Sequence, residues 1–300
     1  MNMRAENHNC EKKFRRAIEL LSRGKLEEAE IELTAVLSVE SDKVDALSSL
    51  ALIKIYMANY QEAISLLGEA IRLNPEIARI HFLMSLALAK LHRLDEAEQF
   101  FLSGIELDPH DDAIPRFQSA IAMEKGNIDK ALMELSSYVL ENPEQTWDVW
   151  NELGTLYYMD QQFEYAKQSF SQSIRSAASM GLNIPFVHYN LGLCFNAAGK
   201  YDDAKEQFSI ALELDSQLAP AWSALGILVA AEGEYEKAID YINHSIELEP
   251  EVPSHWIAMG QVYELFGDKQ SATHYFTQAY RAYRSYFPDS NVPEGSGGQA

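Results

Sequence analysis

"WNELGTLYYMDQQFEYAKQSFSQSI", Trp150 to Ile174, decides how the rest of the chain is read. In "WNELGTLYY" and again in "FEYAKQSFSQSI" the apolar residues fall at helical spacing, so the stretch predicts two amphipathic helices joined by a short turn. A single helix pair cannot bury its own apolar face, which raises the question of what stacks on it.

The answer is more of the same. Aligning the small residue of the second helix gives Ala29, Ala63, Ala97, Ala131, Ala166, Ala204, Ala238 and Ala272, at intervals of 34, 34, 34, 35, 38, 34 and 34 residues. Glycine recurs in the turn inside the unit (Gly24, Gly126, Gly199, Gly233, Gly267), where a helix ends on a left-handed residue. Proline recurs between units (Pro75, Pro109, Pro143, Pro250), where its missing N–H stops a helix.

The set Trp150, Leu153, Gly154, Tyr157, Ala166 and Phe170 resembles the tetratricopeptide repeat pattern of Trp, Leu-Gly, Tyr, Ala and Phe. A second good copy is Trp222, Leu225, Gly226, Ala238 and Pro250; a third is Trp256, Gly260, Tyr263, Ala272, Phe276 and Ala279. The resemblance implies an all-α fold, a right-handed superhelical solenoid of eight helix-turn-helix repeats at 10–43, 44–77, 78–111, 112–146, 147–184, 185–218, 219–252 and 253–286. Residues 1–9 are expected to be a flexible N-terminus and 287–300 a disordered tail. The small residues are expected where the helices of a unit cross closely, with large side chains sealing the contact.

The longest interval contains "SIRSAASMGLNIPFVHYN", Ser173 to Asn190. Four extra residues make close to one helical turn, so they predict a lengthened second helix in repeat 5, capped by Gly181 with Leu182 folding back, before Pro185 opens repeat 6. A hinge at 181–184 is the other reading.

Composition limits the function. The chain has 300 residues and a formal net charge of −21, which repels a phosphate backbone, so nucleic acid is not an expected ligand. With no run of 18 apolar residues and no signal-like N-terminus, membrane insertion is not expected and a cytoplasmic location is. Cys10 and Cys194 read as reduced thiols. No constellation for catalysis is present, so the chain reads as a non-enzyme with no cofactor and no metal. His110, beside Asp111 and Asp112, belongs to an inter-repeat turn where polar residues are ordinary.

The resemblance places binding on the inner face of the stack, lined by the first helix of each repeat at positions 2, 5, 6, 9, 12 and 13. Repeats 3 and 4 there offer Arg79, Phe82, Leu83, Leu86, Lys90, Arg116 and Phe117; repeats 5 and 6 offer Asn151, Glu152, Tyr158, Phe186, Tyr189, Asn190 and Asn196. The expected ligand is another protein, through a peptide segment or amphipathic helix that is apolar and acidic, with Arg79 and Arg116 flanking apolar anchors. Exchanging both arginines for glutamate is expected to weaken capture without lowering the melting temperature. Neighbour packing is the competing reading of Phe82, Leu83 and Leu86. Of the clamp that some relatives use for chaperone tails, only Asn190 has a match. The alternative function is a self-associating structural or assembly protein, a homo-oligomer formed through Phe276, Tyr280, Tyr283 and Phe287 on the last helix.

Overall fold

The computed structural model describes residues 2–141 and 146–286, and these form sixteen helices and no strand. Pro143, Phe287 and the 287–300 tail lie outside the described residues. In chain order the helices are those of the eight expected repeats, and they fall into two compact units divided between Gln161 and Gln162.

The first unit contains α1 (Asn2–Ser22), α2 (Leu26–Leu37), α3 (Val44–Tyr56), α4 (Tyr60–Leu73), α5 (Ala78–Lys90), α6 (Leu94–Leu107), α7 (Ile114–Glu124), α8 (Ile128–Glu141) and α9 (Trp147–Met159). Helix α1 already begins at Asn2, inside the segment expected to be a flexible lead. The second unit contains α10 (Phe163–Ser179), α11 (Pro185–Ala197), α12 (Tyr201–Leu214), α13 (Ala219–Ala231), α14 (Tyr235–Leu248), α15 (Pro253–Phe266) and α16 (Lys269–Tyr286). Within each unit, consecutive helices pack against one another, and first helices of successive repeats also touch, as in α3 with α5, α5 with α7 and α13 with α15.

The alignment alanines occupy the interior. Seven of them, Ala29 through Ala238, are 0% exposed and Ala272 is 2% exposed. The glycines at the crossings do something the sequence did not show: each takes a large side chain of the partner helix in place of its own Cβ. A Cβ built on Gly192 would lie 2.5 Å from Phe208, one on Gly226 2.6 Å from Ile242, and one on Gly260 2.5 Å from Phe276. At such distances something has to shift, so these positions admit little but glycine.

The turns follow the expected chemistry. Gly24, Gly126, Gly199, Gly233 and Gly267 have φ between 71° and 87°, the left-handed region. Where no glycine is available the same turn forces Ala58, His92 and Gln161 to φ of 58°, 55° and 61°. Gly181, at φ 70°, ends α10, and the Leu182 N–H reaches back to the Ala177 carbonyl at 2.9 Å, so the extra residues lengthen a helix and cap it. Helices α10 and α11, on either side of that insertion, pack together inside one compact unit.

Between repeats, Asn74, Asp108 and Asp215 accept the N–H two residues on through their side-chain oxygens, closing Asx turns. A ring at the fourth position of the following repeat then ties helix to turn. Trp222 Nε1 donates to the Ser216 carbonyl at 2.9 Å, Trp256 Nε1 to Pro250 at 2.8 Å, and His81 Nε2 meets Pro75 at 2.8 Å. At Trp222 and Trp256 the tryptophan of the repeat pattern thus has a polar duty as well as an apolar one.

Candidate interaction groove

In the first unit, α3, α5, α7 and α9 are the first helices of their repeats and present side chains to a common concave surface. A pocket of about 230 Å³ opens there, lined by Leu52 and Tyr56 of α3, Arg79, Leu83 and Leu86 of α5, Asp111 and Ala113 of the α6–α7 turn, Arg116, Phe117 and Ala120 of α7, and Glu152 of α9. Six of the residues expected from sequence meet at this one place: Arg79, Leu83, Leu86, Arg116, Phe117 and Glu152. Leu52 and Tyr56 had not been singled out, yet they occupy positions 9 and 13 of repeat 2. Extending the same positional rule by one repeat was the signal that would have found them.

Phe82 is a correction. It is 0% exposed and lies under Gly104, whose Cβ would stand 2.5 Å from Phe82 Cε1; its ring also stacks on Phe117 at 5.2 Å. It supports the pocket from beneath and cannot touch a ligand. Leu83 is 3% exposed, so it forms the floor, and the half-buried Leu86 offers the accessible apolar wall.

The charges need correcting too. Arg116 was expected to face a partner, but its guanidinium is committed inside the chain. Nε donates to Glu152 at 2.9 Å, and Nη2 donates to Glu152 at 2.6 Å and to Asp148 at 2.7 Å. Burial opposes the charge on Arg116, and the carboxylates of Glu152 and Asp148 outweigh it, holding its pKa well above the ordinary value. For Asp148, burial pushes the pKa up, but the charge of Arg116 and the bonds from Thr146 and Arg116 prevail and the carboxyl stays below its usual range. Lys90 is likewise taken, its Nζ 2.7 Å from Glu124. Both cations bridge to the next repeat and so hold the stack together. Arg79 is exposed and makes no ion pair among the described residues, which leaves it as the positive group at the pocket rim.

Asn151 and Tyr158 are half-buried on α9. The remaining expected groove residues belong to the second unit: Phe186 is 38% exposed, Tyr189 is half-buried with its ring 5.7 Å from Phe208, Asn190 is half-buried, and Asn196 is exposed near the end of α11. The inner positions of α11, α13 and α15 are largely uncharged, with Phe186, Ala224, Ile227 and Ile257 among them, whereas those of the first unit carry Arg79, Lys90, Arg116, Asp148 and Glu152. On α16, Phe276 is turned inward over Gly260 and Tyr283 is half-buried, while Tyr280 is 36% exposed. Of the aromatic row proposed for self-association, Phe276 is therefore spent on its own repeat.

Residues 49–112 and 189–253 match the tetratricopeptide repeat model. These are tetratricopeptide repeats. Over 169 residues the chain is 27% identical to a Drosophila melanogaster protein described as a BBSome complex member, BBS4 homolog; the match takes in 56% of this chain and 34% of that relative, so the chain spans about a third of its length. Among solved structures, the chain matches Cut9–Hcn1, an APC/C hetero-tetramer, over 96% of its length and 57% of that chain, at 16% identity and a TM-score of 0.74. It matches a human IFIT1 dimer with PPP-AAAA over 85% of its length and 68% of that chain, at 18% identity and a TM-score of 0.59. These likenesses establish the fold. No helix among the described residues is long and apolar enough to cross a membrane.

Proposed function

We propose that the chain is a non-enzymatic interaction scaffold of the cytoplasm that holds a peptide or helical segment of another protein across α3, α5, α7 and α9. The observation that carries this reading is the pocket of about 230 Å³ with an apolar floor and wall, Leu83 and Leu86, and an unengaged guanidinium, Arg79, at its rim. Such a site takes one large apolar side chain and a carboxylate next to it, the combination of anchor and charged register typical of groove recognition. Because Arg116 and Lys90 are already neutralised, one acidic group suffices where the sequence suggested several. The description of the fly relative as a member of a complex supports a role in assembly with other proteins. Two buried free cysteines, Cys10 and Cys194, suit a reducing compartment.

The test is affinity capture from native lysate with the wild type beside Arg79→Glu and Leu86→Glu, each checked for its melting temperature. Arg79 is exposed, so Arg79→Glu should melt like the wild type; Leu86 is half-buried against the core, so Leu86→Glu should melt somewhat lower, and both should lose the same captured protein. A variant pair that captures the same set as the wild type would overturn the assignment of this pocket.

A further inference from the structure

Helix α7 stands between two cavities. Arg116, Phe117 and Ala120 face the groove pocket, whereas Gln118, Ile121, Ala122 and Lys125 face a second cavity of about 590 Å³, which opens between α6 and α7 and ends at Asn127 and Lys130, where α8 begins. At helical spacing the two sets fall on opposite sides of α7, and the cavities share no lining residue. A volume of about 590 Å³ lies in the range of ligand sites, so the second cavity has room for more than one side chain.

The repeat pattern shows how the space arises. The seventh position is Leu or Met in repeats 2, 3 and 5 to 8, as Leu50, Met84, Leu153, Leu191, Leu225 and Met259, each at most 8% exposed. In repeat 4 it is Gln118. The eleventh position is Leu88 in repeat 3, Val229 in repeat 7 and an aromatic in repeats 5, 6 and 8, as Tyr157, Phe195 and Tyr263, but in repeat 4 it is Ala122. Where its neighbours place an apolar side chain, repeat 4 thus places an amide, and where they place a large one it places a methyl, both on the wall of the cavity. Filling an internal gap ordinarily stabilises a fold, so repeat 4 gives up packing energy at this one place.

The floor is preformed. Phe101, Ile121 and Ala122 are buried, and the Phe101 ring lies 5.8 Å from the buried Phe82 ring. Leu102, 57% exposed, gives an accessible apolar wall. The polar groups divide into those already engaged and those that are not. Lys125 Nζ pairs with Glu98 across the α6–α7 cleft, and Asn127 Oδ1 accepts the Lys130 N–H at 3.1 Å. The half-buried Gln118 amide makes no hydrogen bond among the described residues, and the exposed Lys130 ammonium makes no ion pair among them. A primary amide presents a donor and an acceptor side by side, the complement of a peptide group's own acceptor and donor. In a chain of net charge −21, an unengaged ammonium at the rim is the group that attracts a carboxylate.

We propose that this cavity is a second binding site, for an extended segment of a partner protein that places an apolar side chain against Ala122 and Ile121, a peptide group on the Gln118 amide and a carboxylate at Lys130. The site lies outside the inner groove, so the first unit can hold this segment and a groove ligand together.

The experiment selects a phage-displayed library of random peptides on the immobilised full chain and measures the enriched peptides against Gln118→Leu, Ala122→Leu, Lys130→Glu and Arg79→Glu. Gln118→Leu and Ala122→Leu restore side chains that other repeats carry, so both should melt no lower than the wild type. Lys130 is exposed, so Lys130→Glu tests the site without a change in the core. An enriched family should pair Leu, Ile, Phe or Met with a neighbouring Asp or Glu and bind Arg79→Glu as tightly as the wild type. Each of the other three variants should weaken that family about tenfold or more. No enriched family, or families that bind Gln118→Leu, Ala122→Leu and Lys130→Glu like the wild type, would overturn the proposal and leave the cavity as a packing gap. Peptides lost in Arg79→Glu alone would overturn it too while supporting the inner groove, so the two readings fail separately.

Discussion

Repeats 3 and 8 solve one packing problem with the parts exchanged. In repeat 8 the glycine is on the first helix and the ring on the second, Gly260 beneath Phe276. In repeat 3 the ring is on the first helix and the glycine on the second, Phe82 beneath Gly104. In both, the absent Cβ would have stood 2.5 Å from the ring's Cε1. What the structure preserves is the complementarity of a missing side chain and a flat one, and it is indifferent to which helix brings which. A positional rule taken from the commoner arrangement assigns Phe82 to the ligand surface, although it is one of the largest fully buried side chains in the chain.

The sharpest way to break this comparison is Phe82→Ala. A core aromatic removed from beneath α6 should cost about 3–5 kcal/mol in denaturant unfolding. If the variant instead unfolded like the wild type while losing a captured partner, Phe82 would belong to the groove after all. Next in size is the pair Gly104→Ala and Gly260→Ala, each overpacking its ring by about 1–3 kcal/mol. Trimming the ring should relieve each: Phe82→Leu should recover part of the loss in Gly104→Ala, and Phe276→Leu part of that in Gly260→Ala. Additive double mutants would mean that the glycines are kept for another reason.

Much of this was legible because repetition turns weak local signals into a strong one. The alanine row, the left-handed glycines and the extra turn before Gly181 all depend on local chemistry, and they read correctly from single positions. What the sequence hid depends on pairs far apart in the chain. The swap of Phe82 and Gly104 is visible only when both helices are in place, since neither residue is unusual alone. Arg116 looked free because its carboxylates come from the next repeat, more than thirty residues on. His255 looked like one of eight scattered histidines until Ser223, Ser245 and Glu249 surrounded it.

The Arg116 contact gives a third, smaller test. Arg116→Met leaves Asp148 and Glu152 close together without a cation, and the partial exposure of all three side chains limits the loss to about 1–2 kcal/mol, between that of a surface pair and a buried one. The pH dependence carries the sign. Because Arg116 holds the folded Asp148 carboxyl below its ordinary value near 3.9, the contact contributes stability above that value and loses it as pH falls through the lower, folded one. The gap in melting temperature between wild type and Arg116→Met should therefore be full at about pH 7 and narrow below about pH 4. A gap independent of pH would show that packing of the arginine stem, rather than its charge, is what the first unit uses.

The smallest effect isolates backbone from packing at the turn inside each repeat. At Gly199, φ is 71° and a Cβ would meet nothing within 4 Å, so Gly199→Ala adds no clash and tests the left-handed conformation alone; about 1 kcal/mol should be lost. His92 holds the same turn in repeat 3 at φ 55° with its side chain 75% exposed, its nearest charged neighbour being Glu124 at 4.0 Å. His92→Gly should therefore gain stability, by less than Gly199→Ala loses, because glycine also widens the unfolded ensemble. Equal and opposite shifts in the unfolding midpoint would show that unfolded-chain entropy hardly matters at these turns, and a loss in His92→Gly would show that the exposed imidazole contributes more through Glu124 than the strained backbone costs.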